Sequence, residues 1–399
     1  MKNIIFARPF NVISLLLGIF SLHSEKMPKP NIVFFLVDDL GWSDVACFGS
    51  SFYETPHIDQ LAKEGVRFTS GYAACHVCSP TRASILTGKY PATMNLTEWL
   101  NGRSDRPYQV LLNPDKAMAL DPKETTLAEV LKKEGYATAL FGKWHLGDAP
   151  HALPTRHGFD EWIGVPYSND MNWVGEPDFE DLVKLSMRGN VAEQAAVYAR
   201  RGAKYANPKA EDFAAPLMFS QATDEGFSDR VEQPTDQSLL TQRATDAAVD
   251  FIQRSASGPF FLYMPYSMPH TPLFRSDAFA GRSLGGRYGD VVEEIDASVG
   301  AIHDAIEAAG VLENTLIIFT SDNGPWLNYG DHAGSAGPLR EGKGTMFDGG
   351  CRESALMWWP GTIPAGSECA TPAMTIDLLP TVAELIGARL PKHPIDGKS

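Results

Sequence analysis

Apolar and polar positions alternate along this chain in two distinct rhythms. Asn31 to Val37 (NIVFFLV) is an unbroken apolar, β-branched and aromatic run, the pattern of a strand buried on both faces. Pro56 to Gly65 places Ile58, Leu61 and Ala62 at helical spacing and stops at a glycine. Thr125 to Gly135 repeats that pattern with Leu127, Val130 and Leu131, and Tyr136 to Phe141 then returns to strand. Ala244 to Arg254 reads as helix and Pro259 to Met264 (PFFLYM) as strand. Val291, Val292, Ile295, Val299, Ile302 and Ile306 share one face of a long helix closed by Gly310, and Leu316 to Thr320 (LIIFT) is a further buried strand. This alternation predicts the α/β class, with a large, mostly parallel central sheet and helices on both faces. Residues 173–242 carry scattered charge and weak periodicity, and are expected to be a variable insertion over the sheet edge, a natural place for substrate specificity.

The four clearly buried strands end in polar residues that make no sense as core. The first is followed by Asp38 and Asp39, the Tyr136–Phe141 run by Lys143 and His145, PFFLYM by a short loop to His270, and LIIFTS by Asp322 and Asn323. In open α/β sheets, ligands bind outside the carboxyl ends of the strands. Asp38, Asp39, Asp322 and Asn323 form an all-oxygen set, suited to a hard divalent cation such as calcium or magnesium rather than zinc. Taken singly, Asp-Asp reads as a loop cap and Asp-Asn-Gly as a turn; together at strand ends they favour the metal.

The run Cys78-Ser79-Pro80-Thr81-Arg82 adds a reactive group. Ser79 reads as an N-cap with Pro80 in the first turn, which sets Cys78 at the positive end of a helix dipole where anions are favoured. The alternative is a Cys75-x-x-Cys78 redox or zinc pair, but neither Cys351 nor Cys369 offers close partners for a zinc site. Among the histidines, His145 follows a strand and a lysine, and His270 precedes Thr271-Pro272, which singles out these two. Lys343 lies between Gly342 and Gly344, which permit close approach to an anion.

Composition narrows the partners. The 399 residues, 44% of them hydrophobic, suffice for a large core. A net charge of -15 without any basic run argues against nucleic acid. An anionic substrate would therefore be held by local arginines and lysines acting within a Debye length of roughly 8–10 Å. Five cysteines leave at least one unpaired in an oxidised monomer. Residues 1–24 read as a signal peptide, with a basic start at Lys2 and Arg8 and an apolar stretch from Val12 to Leu22 that is too short for a membrane span. Export is the expectation, with a catalytic domain over 25–399.

The pentapeptide C-x-P-x-R with Leu-Thr-Gly after it resembles the sulfatase signature, and the resemblance extends over nearly the whole chain after the leader. PNIVFFLVDDLGWSD, CSPTRASILTG, GYATALFGKWHLG, HGFDEWIGVPYS, the loop ending in His270, FTSDNGP and GPLREGKGTMFDGGCRESA occur in the order found in the arylsulfatase family of the alkaline phosphatase superfamily. A single motif such as Asp-Asn-Gly is weak evidence, whereas the ordered set is specific. The resemblance implies an alkaline phosphatase-like fold that hydrolyses sulfate esters of carbohydrates or aryl alcohols. It implies that Asp38, Asp39, Asp322 and Asn323 hold a metal, usually calcium, and that Cys78 is converted by a maturation enzyme to formylglycine and also touches the metal. Arg82, Lys143, His145, Ser168, His270 and Lys343 carry over to the sulfate pocket. By the same likeness Asp322 is the base for the nucleophilic hydroxyl, His270 protonates the leaving alcohol and His145 serves sulfate release.

Family members end in a smaller antiparallel sheet that is expected to be largely absent here, and Cys351 replaces a small apolar residue. The readings that compete are a phosphate or phosphonate ester hydrolase of the same superfamily and an inactive binder of sulfated glycans.

Overall fold

The computed structural model describes residues 29–102, 105, 108–177 and 179–399, so the leader lies outside the described residues. Eleven strands form one sheet: β1 (Asn31–Val37), β2 (Val66–Tyr72), β3 (Ala137–Phe141), β4 (Glu161–Gly164), β5 (Leu217–Thr223), β6 (Gly226–Glu232), β7 (Phe260–Pro265), β8 (Thr315–Ser321), β9 (Arg352–Trp358), β10 (Ser367–Cys369) and β11 (Ala373–Met374). Their spatial order is β10-β2-β9-β8-β1-β7-β3-β4-β5-β6, with β11 also beside β2. The middle of the sheet, β8-β1-β7-β3-β4, is parallel throughout. β1 is its axis: Ile32 to Leu36 pair with Phe261 to Pro265 on one side, and Asn31 to Val37 with Thr315 to Ser321 on the other.

Side chains of a strand point alternately to the two faces, and β1 shows the consequence. Val33, Phe35 and Val37 enter one core, built with the helices α1 (Pro56–Glu64), Leu240–Ser255 and Gly286–Ala308. Ile32, Phe34 and Leu36 enter a second core, with α2 (Cys78–Thr87), α3 (Leu127–Lys133) and the helix Leu378–Ile386. A sheet covered on both faces explains why its central strands read as unbroken apolar runs.

On either side of the parallel middle the sheet departs from the sequence pattern. β9 is antiparallel to both β8 and β2, and β5 and β6 form an antiparallel hairpin beyond β4. Residues 173–242 contain that hairpin and the helices Phe179–Met187 and Val191–Ala206. The exposed hairpin strand β6 has no apolar face to announce it.

One local expectation fails. Ser79 does not cap α2: the helix begins at Cys78, and the N-cap is Val77 in extended conformation without a side-chain cap. The Ser79 hydroxyl instead accepts the Leu100 N–H at 3.1 Å, a tertiary partner that sequence spacing cannot reveal. Thr126 does cap α3, with Glu129 completing a capping box.

Candidate active site

The ends of β1, β3, β7 and β8 converge beside the first turn of α2. Asp38 and Asp39 follow β1 directly. Asp39 has φ 65° and His145 φ 60°, left-handed backbone that non-glycine residues adopt at a cost and that clusters at functional sites. Asp38 is fully buried; its Oδ2 receives Lys143 Nζ at 2.5 Å and lies 3.5 Å from Arg82 Nη2. Asp39 receives Lys343 Nζ at 2.6 and 2.8 Å and Asn323 Nδ2 at 2.7 Å. Asp322 accepts Arg82 Nε and Nη2 at 2.8 Å each, and the Asp39 N–H at 3.3 Å. Lys143 also donates to Ser168 Oγ at 2.8 Å.

Cys78 occupies the first position of α2, buried at 2% exposure. One ligand atom from each of Asp38, Asp39, Cys78 and His270 falls within a 4.8 Å cluster. The set drawn from the sequence held Asp322 and Asn323 where this cluster holds His270. Both groups share the site, because Asn323 and His270 Nε2 each face Asp39, the latter at 3.8 Å.

Burial sets the protonation of these groups. It raises Asp39, with Asp38 adding to the effect, and lifts Asp322 to about 7, where Asp38 adds again and Arg82 opposes. Burial would raise Asp38 as well, but Lys143 and Arg82 overcome it and hold that carboxyl well below the usual range. The Cys78 thiol is pushed up to about 12 by burial, against the pull of Lys143 and Lys343, so the residue as encoded is a poor nucleophile. His145 and His270 are both held well below the ordinary value by burial, with Lys143 acting on the first and Lys343 on the second. His145 Nε2 donates to the Leu100 carbonyl at 2.8 Å, which leaves Nδ1 unprotonated, and that atom is buried without a partner. His270 Nδ1 donates to its neighbour's carbonyl at 2.7 Å, so Nε2 is the atom turned toward the carboxylates.

The oxygens fit a hard cation. Asp38 Oδ1 and Asn323 Oδ1 are buried with no hydrogen-bond partner, a costly state that an ion would relieve. The carboxylates of Asp38, Asp39 and Asp322 face Arg82, Lys143 and Lys343, so a divalent cation with an anionic ester would add little net charge. All the candidate residues named from the sequence are thus brought to one place.

Three further residues were not anticipated. Glu353 on β9 is fully buried with both carboxyl oxygens unpartnered, and burial, reinforced by Asp322 and Asp39, raises it well above the usual range. Its place between Arg352 and Ser354 at the start of β9 gives no sign in the sequence that it is buried. Trp326, just after Asp-Asn-Gly-Pro, packs on His270 with ring centroids 5.4 Å apart. Asp170, two residues after Ser168, is half-buried beside the site. By contrast, His157, although within a motif, is a core residue against Trp144.

A mostly parallel sheet that brings carboxylates, lysines and imidazoles from its strand ends to a cysteine at a helix start defines a hydrolase site for tetrahedral oxyanion esters, on an alkaline phosphatase-like fold. The model of the sulfatase family matches residues 30–388, and the chain belongs to that family. It is 37% identical to steryl-sulfatase of Rattus norvegicus over 93% of this chain and 69% of the relative. It is equally 37% identical to N-acetylgalactosamine-6-sulfatase of Mus musculus over 96% and 68%. The chain therefore spans about two thirds of the length of these curated relatives. Among solved structures it resembles Ps i-CgsB in complex with k-i-k-neocarrahexaose, at 30% identity and a TM-score of 0.68, over 93% of this chain and 75% of that one. Sulfatases hydrolyse sulfate esters and generally depend on formylglycine and a divalent metal. No helix among the described residues is long and apolar enough to cross a membrane.

Proposed function

We propose that this protein hydrolyses sulfate esters of carbohydrates, releasing inorganic sulfate. The carrying observation is Cys78 at the start of α2, set among the oxygen cluster and Lys143 and Lys343. Asp38, Asp39, Asp322 and Asn323 would hold calcium, or magnesium, which withdraws charge from sulfate oxygens and acidifies a bound hydroxyl. Cys78, once oxidised to formylglycine by a maturation enzyme, supplies a hydrated aldehyde with one hydroxyl to attack sulfur and another to allow sulfate to leave.

The remaining side chains bind and move protons. Lys143, Lys343 and Ser168 neutralise the sulfate oxygens, a preorganised electrostatic role. The two lysines exchange their contacts with Asp38 and Asp39 for the incoming anion. Arg82 holds Asp322 in place, and Asp322, lifted toward neutrality, is suited to take a proton from the attacking hydroxyl. His270 gives its Nε2 proton to the leaving alcohol: the negative charge of the ester opposes Lys343 and favours the protonated ring. His145 Nδ1, buried and unpartnered, is the acceptor for the proton lost when sulfate is expelled.

A sulfated glycan is the substrate class supported by the complex of Ps i-CgsB with k-i-k-neocarrahexaose, and the leader pattern supports export. The test compares the mass of the peptide spanning Cys78 with specific activity across preparations of different maturation. Activity should rise with the formylglycine fraction. Many turnovers by a wholly thiol preparation would sink the mechanism.

A further inference from the structure

His270 faces the leaving oxygen in the proposed reaction, so whatever carries the sulfate must lie on the His270 side of the pocket. An aromatic wall starts there. Trp326 packs on His270 and holds Lys343 Nζ 4.5 Å from its ring centre; Tyr329 meets Trp326 at 4.8 Å, and Tyr205 meets Tyr329 at 4.9 Å. All three rings are half-buried, so the wall leads outward from the reacting centre with part of its apolar surface open. Tyr205 comes from the helix Val191–Ala206, within the stretch whose sequence pattern could not be read. Asp170 lies against Tyr205, whose hydroxyl donates to its Oδ2 at 3.4 Å, and near enough to Lys343 and Lys143 to feel their charge. Beside that long bond the carboxylate accepts its own backbone N–H, which leaves acceptor positions on its oxygens for a ligand.

We propose that Trp326, Tyr329, Tyr205 and Asp170 form the site for the sugar ring that bears the sulfate. The inference rests on the sulfatase reading above and names its substrate-binding surface. A pyranose offers weakly positive C–H groups on its faces, which match the negative faces of aromatic rings. It also offers hydroxyl donors beside the ester, which match Asp170. A sterol or a simple aryl sulfate has the apolar face but no neighbouring hydroxyl, so Asp170 gives the site a means of telling them apart.

The experiment uses Asp170→Asn, which is nearly isosteric, and Tyr329→Ala. Each is assayed in matured form on singly sulfated galactoses and glucosamines and on nitrophenyl sulfate, and each is titrated calorimetrically as unmatured protein with the same compounds. Both changes should weaken binding of the sugar sulfates and lower kcat/KM by about tenfold through KM, as expected for one lost charge-assisted hydrogen bond or stacking contact. With Asp170→Asn, nitrophenyl sulfate should stay within about twofold on both readouts, whereas Tyr329→Ala should weaken it too, since the nitrophenyl ring stacks on the same face. Equal losses on the two substrate classes with Asp170→Asn, or no loss on the sugars with either change, would overturn the sugar site. A wild-type enzyme that releases sulfate from no ester would defeat the sulfatase reading instead. The titration then still decides the site: selective loss of sugar-sulfate affinity supports it, and unchanged affinity overturns it.

Discussion

Protonation of buried side chains is decided residue by residue, and His157 shows how such a group writes itself into stability. Its Nε2 is buried without a partner, its ring lies 5.6 Å from that of Trp144, and burial lowers it from 6.5 to about 4. The folded protein therefore refuses a proton that the unfolded chain accepts below about 6.5. Stability is unaffected above that pH and falls as pH drops from 6.5 toward 4. At pH 5 the deficit is on the order of 2 kcal/mol. Denaturant unfolding of wild type and His157→Leu should show the variant gaining on wild type by that amount between pH 7 and 5. A gap independent of pH would show that the ring takes up its proton as readily in the fold as in the unfolded chain. The same reasoning makes Arg82 indispensable: at 1% exposure it sits between Asp322 and Asp38, and without it buried carboxylates would be left uncompensated.

At the scale of elements, α2 and the loop at Leu100 act together. Ser79, which spacing suggested as a helix cap, ties the Leu100 N–H, and the Leu100 carbonyl receives His145 Nε2. Ser79→Ala should cost about 1 kcal/mol of stability, the usual worth of one hydrogen bond. It should also lower kcat severalfold and move the pH dependence of kcat, because the tautomer of His145 depends on that carbonyl. A loss of stability with an unmoved pH profile would reduce Ser79 to a structural role. The parallel strands β1, β3, β7 and β8 were readable because both their faces are buried, while β4, parallel but half-exposed, was not. β6 and β9 were not either: β6 is an exposed edge strand, and β9, paired on both sides, opens with Arg352, Glu353 and Ser354 and so carries no apolar run over its length.

For the whole molecule, the net charge of -15 opposes an approaching anion, and Arg82, Lys143 and Lys343 at the converged strand ends counter it locally. The buried carboxylates there should couple metal to folding. Calcium, and more weakly magnesium, should stabilise chelator-treated protein by about 2.7 kcal/mol at a hundredfold excess over Kd, and so raise its thermal midpoint. Asp39→Ala should abolish the increment. Identical midpoints with and without either ion would exclude the oxygen site as a metal site.

The amino-acid sequence alone determined the α/β class, the central strands and the polar residues that end them. These are local properties: the apolar period of a segment is set by how many of its faces are buried, and a strand end is where that period stops. Motif order was enough to name the residues around Cys78 without placing any of them. Only the tertiary structure decided which atoms face each other. It turned Ser79 from cap to tether, brought Glu353 from β9 beneath the carboxylates, and joined Asp170, Tyr205 and Trp326 into one wall. Such contacts join segments far apart in the chain, with Tyr205 and Tyr329 as an example. No period or spacing within a segment records them, because they exist only once the sheet has set its strand order.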